Sequence, residues 1–309
     1  MNSVTVLGIY AADLSFLAPR LPTIGETLIG SNFRMGPGGK GSNQAVAARR
    51  AGADVNFIAK LGRDAFGEQA RQMYAEEGIS DRYLLTSETD PTGTAFIFVD
   101  DMSGDNAIIV VPGAAGKISA DEIDAASEAI SSATVFMTQL EVPLPIAAHA
   151  LSIARRAGVT TVFNPAPAAD LPDDIYANVD FFTPNESEAA VLAGQPVETL
   201  VQAEAAADTF LAKGVGTVVM TLGAKGALVK SQQITAHVPA FQVAKVVDTT
   251  GAGDAFNGAF ATALAEGQAV VEAVKFGCAA AGLSVTKAGT APSMPQRAAI
   301  EALLQSSRN

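Results

Sequence analysis

Val247-Asp248-Thr249-Thr250-Gly251-Ala252-Gly253-Asp254-Ala255-Phe256-Asn257-Gly258 joins a strand-like run, Phe241 to Val247, to a long helix pattern of small residues over about 253–266. A turn almost free of side chains at a helix N-terminus leaves backbone N–H groups unpaired. Those groups and the helix dipole together favour an anion. Asp254 stands beside the place where the anion would sit. A cradle of this kind next to a carboxylate suits transfer of a phosphoryl group to a hydroxyl. The same residues also make an ordinary strand–turn–helix junction with an acid near the N-cap. The stretch alone does not choose between the two.

The surrounding chain narrows the choice. It has 309 residues, 49% of them hydrophobic, ample for a large core. A net charge of -12 argues against a general nucleic-acid or anionic-membrane surface, and no apolar run is long enough to span a bilayer. Cys278 is the only cysteine, so no intrachain disulfide or cysteine zinc site forms; its neighbours Phe276, Gly277, Ala279 and Ala280 read as buried helix. His149 and His237 are the only histidines, which disfavours a multi-histidine metal site. There is no G-x-S-x-G nucleophile elbow. Met1 to Gly8 reads as a first strand rather than a signal peptide, and cytoplasm is the expected location.

Outward from the opening stretch, strands alternate with helices. Strands are expected at Val4–Ile9, Val55–Leu61, Thr134–Gln139, Val159–Phe163, Val179–Thr183 and Thr217–Thr221, with short antiparallel strands at Ala227–Val229 and Ile234–Val238. Helices are expected at Gln44–Ala51, Ala65–Glu77, Ser119–Ser131, Leu144–Ala157, Glu186–Ala193, 199–213, 269–287 and 296–305. This alternation predicts an α/β fold with a doubly wound, mostly parallel sheet flanked by helices, whose ligands sit outside the carboxyl ends of the strands. Four further segments, Ala12–Leu17, Thr27–Phe33, Thr94–Val99 and Ala107–Val111, alternate as half-exposed strands and predict a small accessory sheet.

Polar, glycine-rich loops close strand after strand at one edge. Gly36-Pro37-Gly38-Gly39-Lys40-Gly41-Ser42-Asn43 is neither a P-loop, since Gly41 follows Lys40 and Arg34 holds the position of the required earlier glycine, nor a dinucleotide fingerprint in a first βα turn. It still permits close approach of a ligand, with Lys40 and Asn43 as donors, or it is a helix-initiating turn with a solvated lysine. Asp13 follows the first strand and suits a pair of sugar hydroxyls, or is a plain turn acid. Glu141, Asn164-Pro165-Ala166-Pro167, Thr183-Pro184-Asn185-Glu186-Ser187-Glu188 and Thr221-Leu222-Gly223-Ala224-Lys225-Gly226 fall at the same edge.

With these residues in view, the chain resembles the ribokinase-like (PfkB) family of carbohydrate kinases from end to end. Gly38 to Asn43 resembles the family's early glycine-rich signature, Asp248 to Gly258 its late signature, and Asn185-Glu186-Ser187-Glu188 its N-x-x-E motif. Asn43-Gln44-Ala45-Val46-Ala47-Ala48, Gln139-Leu140-Glu141 and Asn164 to Ala168 are most similar to the ribokinase branch.

The resemblance implies one α/β kinase domain over 1–309 with lid strands at approximately 11–17, 27–35, 93–99 and 106–111, a lid that pairs with a second copy in a homodimer. It implies ATP-dependent phosphorylation of a free pentose at its primary hydroxyl, D-ribose to D-ribose 5-phosphate. Asp254 would be the base, with Gly251, Ala252 and Gly253 as the anion hole. Asp13, Gly39, Lys40, Asn43 and Glu141 would hold the sugar. Asn185 and Glu188 would act around the phosphates and Mg²⁺; Thr221, Gly223 and Gly226 would line the nucleotide site. Asp248, Thr250, Ser284, Lys287, Gly289 and Ser293 align with the ligands of a monovalent cation, K⁺, which would act by fixing the anion-hole loop. A helix N-terminus is expected to keep Asp254 ionised.

Two positions depart from the pattern. Ribokinases commonly carry Asn two residues before the sugar-binding Asp; Ala11 stands here, so a 2-deoxyribokinase or another small-sugar kinase is the alternative. Cys278 replaces a residue that is often polar near the adenine. A non-catalytic sugar-binding regulator is the reading from another class, disfavoured by the intact Asp254, Gly251 and Gly253.

Overall fold

Strand β1 (Ser3–Leu7) is buried on both sides: Val4 and Val6 point into one apolar cluster and Leu7 into another, while the Thr5 hydroxyl donates to the Ala129 carbonyl. A strand with two dry faces belongs in the middle of a sheet covered by helices. The computed structural model describes residues 2–307, so Met1, Arg308 and Asn309 at the ends of the expected 1–309 span lie outside the described residues.

The strands that follow are β2 (Ala11–Ala18), β3 (Asn32–Gly38), β4 (Asp54–Gly62), β5 (Leu84–Ser87), β6 (Gly93–Asp100), β7 (Asn106–Val111) and β8 (Val135–Thr138). After them come β9 (Thr160–Phe163), β10 (Phe181–Phe182), β11 (Thr217–Thr221), β12 (Ala227–Ser231) and β13 (Thr235–Val238). The first helices are α1 (Lys40–Ala51), α2 (Ala65–Glu77), α3 (Ala120–Ala125), α4 (Ser127–Ser131), α5 (Leu144–Arg156) and α6 (Asp173–Tyr176). The remainder are α7 (Glu186–Ala193), α8 (Leu200–Ala212), α9 (Ala252–Ala265), α10 (Val270–Ser284) and α11 (Arg297–Ser306).

A nine-stranded sheet runs in the order β13-β12-β11-β10-β9-β8-β1-β4-β5, parallel from β5 to β11 and antiparallel at β12 and β13. The chain leaves β1 toward β4 on one side and later returns to β8 on the other. The carboxyl end of β1 is therefore a topological switch point, where such sheets open a crevice. Helices α1, α2, α9, α10 and α11 contribute to one cluster and α3, α4, α5, α6, α7 and α8 to the other. The expected mostly parallel, doubly wound α/β architecture is what the chain adopts.

A separate four-stranded sheet has the order β3-β2-β6-β7. Its register pairs Leu14 with Met35 and Phe96, and Phe16 with Phe33 and Phe98. The face carrying Phe16, Phe33 and Met35 is apolar yet exposed, and Asp13 lies on the opposite face.

Several element boundaries differ from expectation, each for a local reason. The run Thr27–Phe33 is a strand only from Asn32, because β2 ends before Pro19 and leaves residues before Asn32 no ladder partner beyond Leu17. Phe241–Val247 forms no strand; β13 is already the sheet edge, and Phe241 and Val243 pack over Gly282 of α10 instead. Helix α1 begins at Lys40, not Gln44, since Gly39 at φ 87° supplies the N-cap turn. The helix expected over Ser119–Ser131 is two, broken at Ala126. Only Phe181–Phe182 of Val179–Thr183 joins the ladder.

Candidate active site

Two helix N-termini meet at the switch point. Helices α1 and α9 cross so closely that a side chain on Gly258 would strike the Gln44 carbonyl at 2.6 Å. The crossing places the first turn of α1 against that of α9. Gly251 is the N-cap of α9 in the left-handed region, φ 78°, and Asp254 is the third residue of the helix. Its carboxylate is almost wholly buried; Asn43 Nδ2 donates to Oδ2 at 2.9 Å and Gln44 Nε2 to Oδ1 at 3.0 Å. The N–H groups of Gly251, Gly253 and Asp254 meet no acceptor among the described residues. The Ala252 N–H donates to the Thr249 carbonyl at 3.2 Å, so of the three donors expected from residues 251–253 two are free, and Asp254 adds its own.

Burial is the largest influence on the Asp254 carboxyl: desolvation pushes its pKa up, against the opposing pull of Lys40, Asn43 and Gln44. Three more carboxyls share the field. Burial, then the charge of Asp254, takes Asp13 up to about 6. Burial takes Glu141 up to about 7, against Lys40 and a 2.7 Å bond from the Lys40 N–H, the first of α1. Burial also raises Glu188. Desolvation works against the Lys40 ammonium, but Asp254, Glu141 and Glu188 outweigh it and hold its pKa above the ordinary value. One cation thus serves several buried acids.

This cluster has a consequence for stability. For Asp13 and Glu141 the folded-state pKa lies above the ordinary 3.8 and 4.5, so their contribution is full below those values and is lost as pH rises through about 6 and about 7. The thermal midpoint of the ligand-free protein is therefore expected to fall as pH is raised from about 4.5 to 7. Differential scanning calorimetry across that range checks it, and Glu141→Gln should flatten the slope.

A cavity of about 730 Å³ opens on the other side of Lys40 and Asp254. Asn185, Glu188, Thr221, Gly223, Gly226, Gly251, Ala252 and Gly253 all line it. Its far wall is apolar, built from Phe241, Val243, Val246, Ala281, Gly282 and Cys278. Burial pushes the Cys278 thiol up to about 12 and leaves it unreactive. Asn185 and Glu188 form the capping box of α7: the Glu188 N–H donates to Asn185 Oδ1 and the Asn185 N–H to Glu188 Oε2, each at 2.8 Å. Both side chains line the cavity, and the Asn185 side chain also helps to hold the Glu188 carboxylate.

Asp13, Gly39, Asn43 and Glu141 do not line that cavity; Asp13 lies on β2 of the smaller sheet, and Glu141 accepts the Lys40 N–H. A side chain on Gly38 would overlap the Asp13 carboxyl, and one on Gly39 would strike the Ile9 carbonyl at 2.6 Å. Asn43 Oδ1 is buried without a partner among the described residues.

Asp248 lies outside the cavity as well. Thr250 and Gly289 donate N–H groups to its two oxygens at 2.9 and 3.0 Å, and the Val247 N–H reaches the Val285 carbonyl at 2.7 Å. Partial burial works against the Asp248 charge, but the Thr250 hydroxyl, those N–H groups and Arg34 hold its pKa below the usual range. Ser284 and Ser293 are buried, each donating its hydroxyl to a carbonyl of its own segment, while Lys287 and Gly289 are exposed. The second segment abuts the hole: Thr290 Cα lies 3.4 Å from where a Gly251 side chain would begin.

Sequence reasoning passed over Gln44 as the first turn of a helix and saw no part for Gln139 or Asn257, whose carbonyl oxygen accepts from the Thr183 hydroxyl at 2.7 Å. A polar residue on the buried side of an Ala-rich helix is the signal that points to Gln44.

Comparison with known proteins agrees with this geometry. A family model described as pfkB family carbohydrate kinase matches residues 1–297. The chain is 42% identical over 296 residues to a ribokinase of Haemophilus influenzae, covering 96% of each. It is 38% identical to a deoxyribokinase of Salmonella typhi, covering 94% of this chain and 95% of that one. The solved structure of an Arabidopsis thaliana ribokinase complexed with ribose and ATP superposes with a TM-score of 0.92 at 33% identity, over 98% of both chains.

Proposed function

The chain belongs to the pfkB family of carbohydrate kinases, and we propose that it transfers the terminal phosphoryl group of ATP to the primary hydroxyl of D-ribose, with Asp254 as the base. One observation carries this reading: the Asp254 carboxylate, both oxygens held, lines a cavity large enough for a nucleotide together with Gly251 and Gly253, whose N–H groups meet no acceptor among the described residues.

The sugar lies behind Lys40, its hydroxyls on Asp13, Glu141, the Gly39 backbone, and Asn43, whose unpartnered Oδ1 accepts from one of them. The carboxylates favour hydroxyl donors, so sugar binding draws Asp13 and Glu141 into their ionised forms. Asp254 takes the proton of the attacking hydroxyl, late in the step, as that oxygen becomes acidic. The Gly251, Gly253 and Asp254 N–H groups meet the charge that builds on the transferred group, and Lys40 adds a full positive charge. Thr221, Gly223 and Gly226 line the nucleotide side. The smaller sheet acts as a lid that excludes water over the sugar.

Mg²⁺ fits the oxygen donors offered here: Glu188 Oε1, with the Asn185 amide oxygen close by, suits a hard ion that keeps most of its ligands as water and phosphate. Bound there, it neutralises nucleotide phosphate charge. K⁺ fits the carbonyl-rich junction of Asp248 and Thr250 with Ser284, Lys287, Gly289 and Ser293, whose Thr290 neighbour braces Gly251. The exposed apolar face of the lid, with Phe16, Phe33 and Met35, and the exposed edge strand β7 suit pairing with a second copy as a homodimer. Its use of ATP suits work in the cytoplasm.

The second reading is 2-deoxyribose. Ala11 shares the Asp13 face of β2, is paired on either side with Gly38 and Gly93, and offers no side-chain donor there. A coupled ADP-release assay over ribose, 2-deoxyribose, fructose and adenosine, with and without K⁺, tests both. Preference for ribose supports the leading reading, and preference for 2-deoxyribose replaces it with the second. A nucleoside preference overturns both, and equal rates without any monovalent cation overturn the K⁺ site. Gly38→Ala should displace Asp13 and raise the sugar KM about tenfold or more while kcat changes less.

A further inference from the structure

Behind Asp254 runs a chain of buried amides whose direction is set at its far end. The Thr183 backbone carbonyl can only accept, so Asn164 must turn Nδ2 toward it, at 2.8 Å. Asn164 Oδ1 then faces Gln44, which must present Nε2 there, at 3.2 Å. The same Nε2 donates to Asp254 Oδ1 at 3.0 Å. Gln44 Oε1 is left pointing the other way, where Gln139 Nε2 donates to it at 2.5 Å. Gln139 Oε1 has no partner among the described residues and is packed where a side chain on Gly8 would begin. No amide in the chain can flip without setting donor against donor or oxygen against oxygen.

We propose that Gln44, locked by Gln139 and Asn164, is the positioning residue of the base: it holds the Asp254 carboxylate in one plane and in its proton-free form. Gln44 is 0% exposed and cannot touch a substrate, so it acts only through Asp254. A buried carboxylate whose pKa is raised by desolvation needs a donor of fixed direction to remain a base near neutral pH. A Gln free to rotate would supply an acceptor half the time. Gln44 differs in this from Asn43, which also donates to Asp254 but whose Oδ1 has no partner among the described residues and answers the sugar. The inference rests on the proposal that Asp254 is the base.

The test is the pH profile of kcat at saturating sugar and MgATP, which reports groups in the bound complex. Gln44→Met keeps length and removes the donor. It should lower kcat about tenfold to a hundredfold, leave the sugar KM little changed, and move the acid limb upward by about one pH unit. Gln139→Met does not touch Asp254, yet should move the limb in the same direction by less, because it unlocks Gln44. The double variant should be no worse than Gln44→Met alone. Gln139→Met keeps the test open if Gln44→Met does not fold. A folded Gln44→Met or Gln139→Met with the wild-type limb, beside an inactive Asp254→Asn, overturns the positioning role alone. An Asp254→Asn enzyme with full activity overturns the base assignment on which it rests.

Discussion

Asp254→Asn lowers kcat about a thousandfold, within the range that a positioned general base contributes, and weakens sugar binding by far less, about tenfold, through the Asn43 contact it turns away. The substitution keeps the shape of the side chain and removes only its capacity to take a proton. The fold tolerates it for a specific reason. Gln44 cannot turn, so the remaining oxygen of the substituted side chain stays toward Gln44 Nε2. The new amide then faces Asn43, whose Oδ1 has no partner among the described residues and can swing round to accept from it. Both hydrogen bonds at the site are retained, and the thermal midpoint should stay close to wild type. The loss therefore reads as chemistry and not as unfolding. Isothermal titration with the sugar and single-turnover kinetics separate the two quantities.

Lys40→Met is the second large effect. Lys40 is the shared cation of Asp254, Glu141 and Glu188, each already pushed up by burial. Glu141 stands at about 7 even with the ammonium in place. Without it all three carboxyls rise further, and a charge aimed at the transferred group is lost as well. The expected fall in kcat at neutral pH is about a hundredfold to a thousandfold. Part of it should return as the buffer is made more alkaline, because the acid limb moves up as the uncompensated carboxyls ionise later. Lys40→Arg keeps the charge but not the compact point geometry, and should recover the pH limb more fully than the rate. A Lys40→Met enzyme with the wild-type profile would remove Lys40 from this role.

Much of this was legible in the sequence because it is local. Gly251 and Asp254 announce a helix N-terminus with an acid in its first turn, and the alternation of strands and helices announces where such termini collect. What was not legible depends on distant partners. The start of β3 is set by where β2 stops at Ala18, not by the alternation of Thr27 to Phe33. Phe241 to Val247 alternates like a strand but meets α10 in place of an open edge, and alternation cannot distinguish the two. Gln44 looks like any polar helix residue until the crossing at Gly258 brings it to Asp254, two hundred and ten positions away. The burial that raises the Asp254 pKa is equally invisible locally, since it comes from the packing of α1 on α9.

The most direct test of the central claim is phosphorus NMR of the product formed from D-ribose and MgATP, run with the wild-type enzyme and with Asp254→Asn at equal concentration. The account predicts one phosphomonoester coupled to the two protons of the primary carbon, formed by the wild type and nearly absent with Asp254→Asn. Phosphate on the anomeric or a secondary oxygen, or the same product formed at an equal rate by Asp254→Asn, would contradict it.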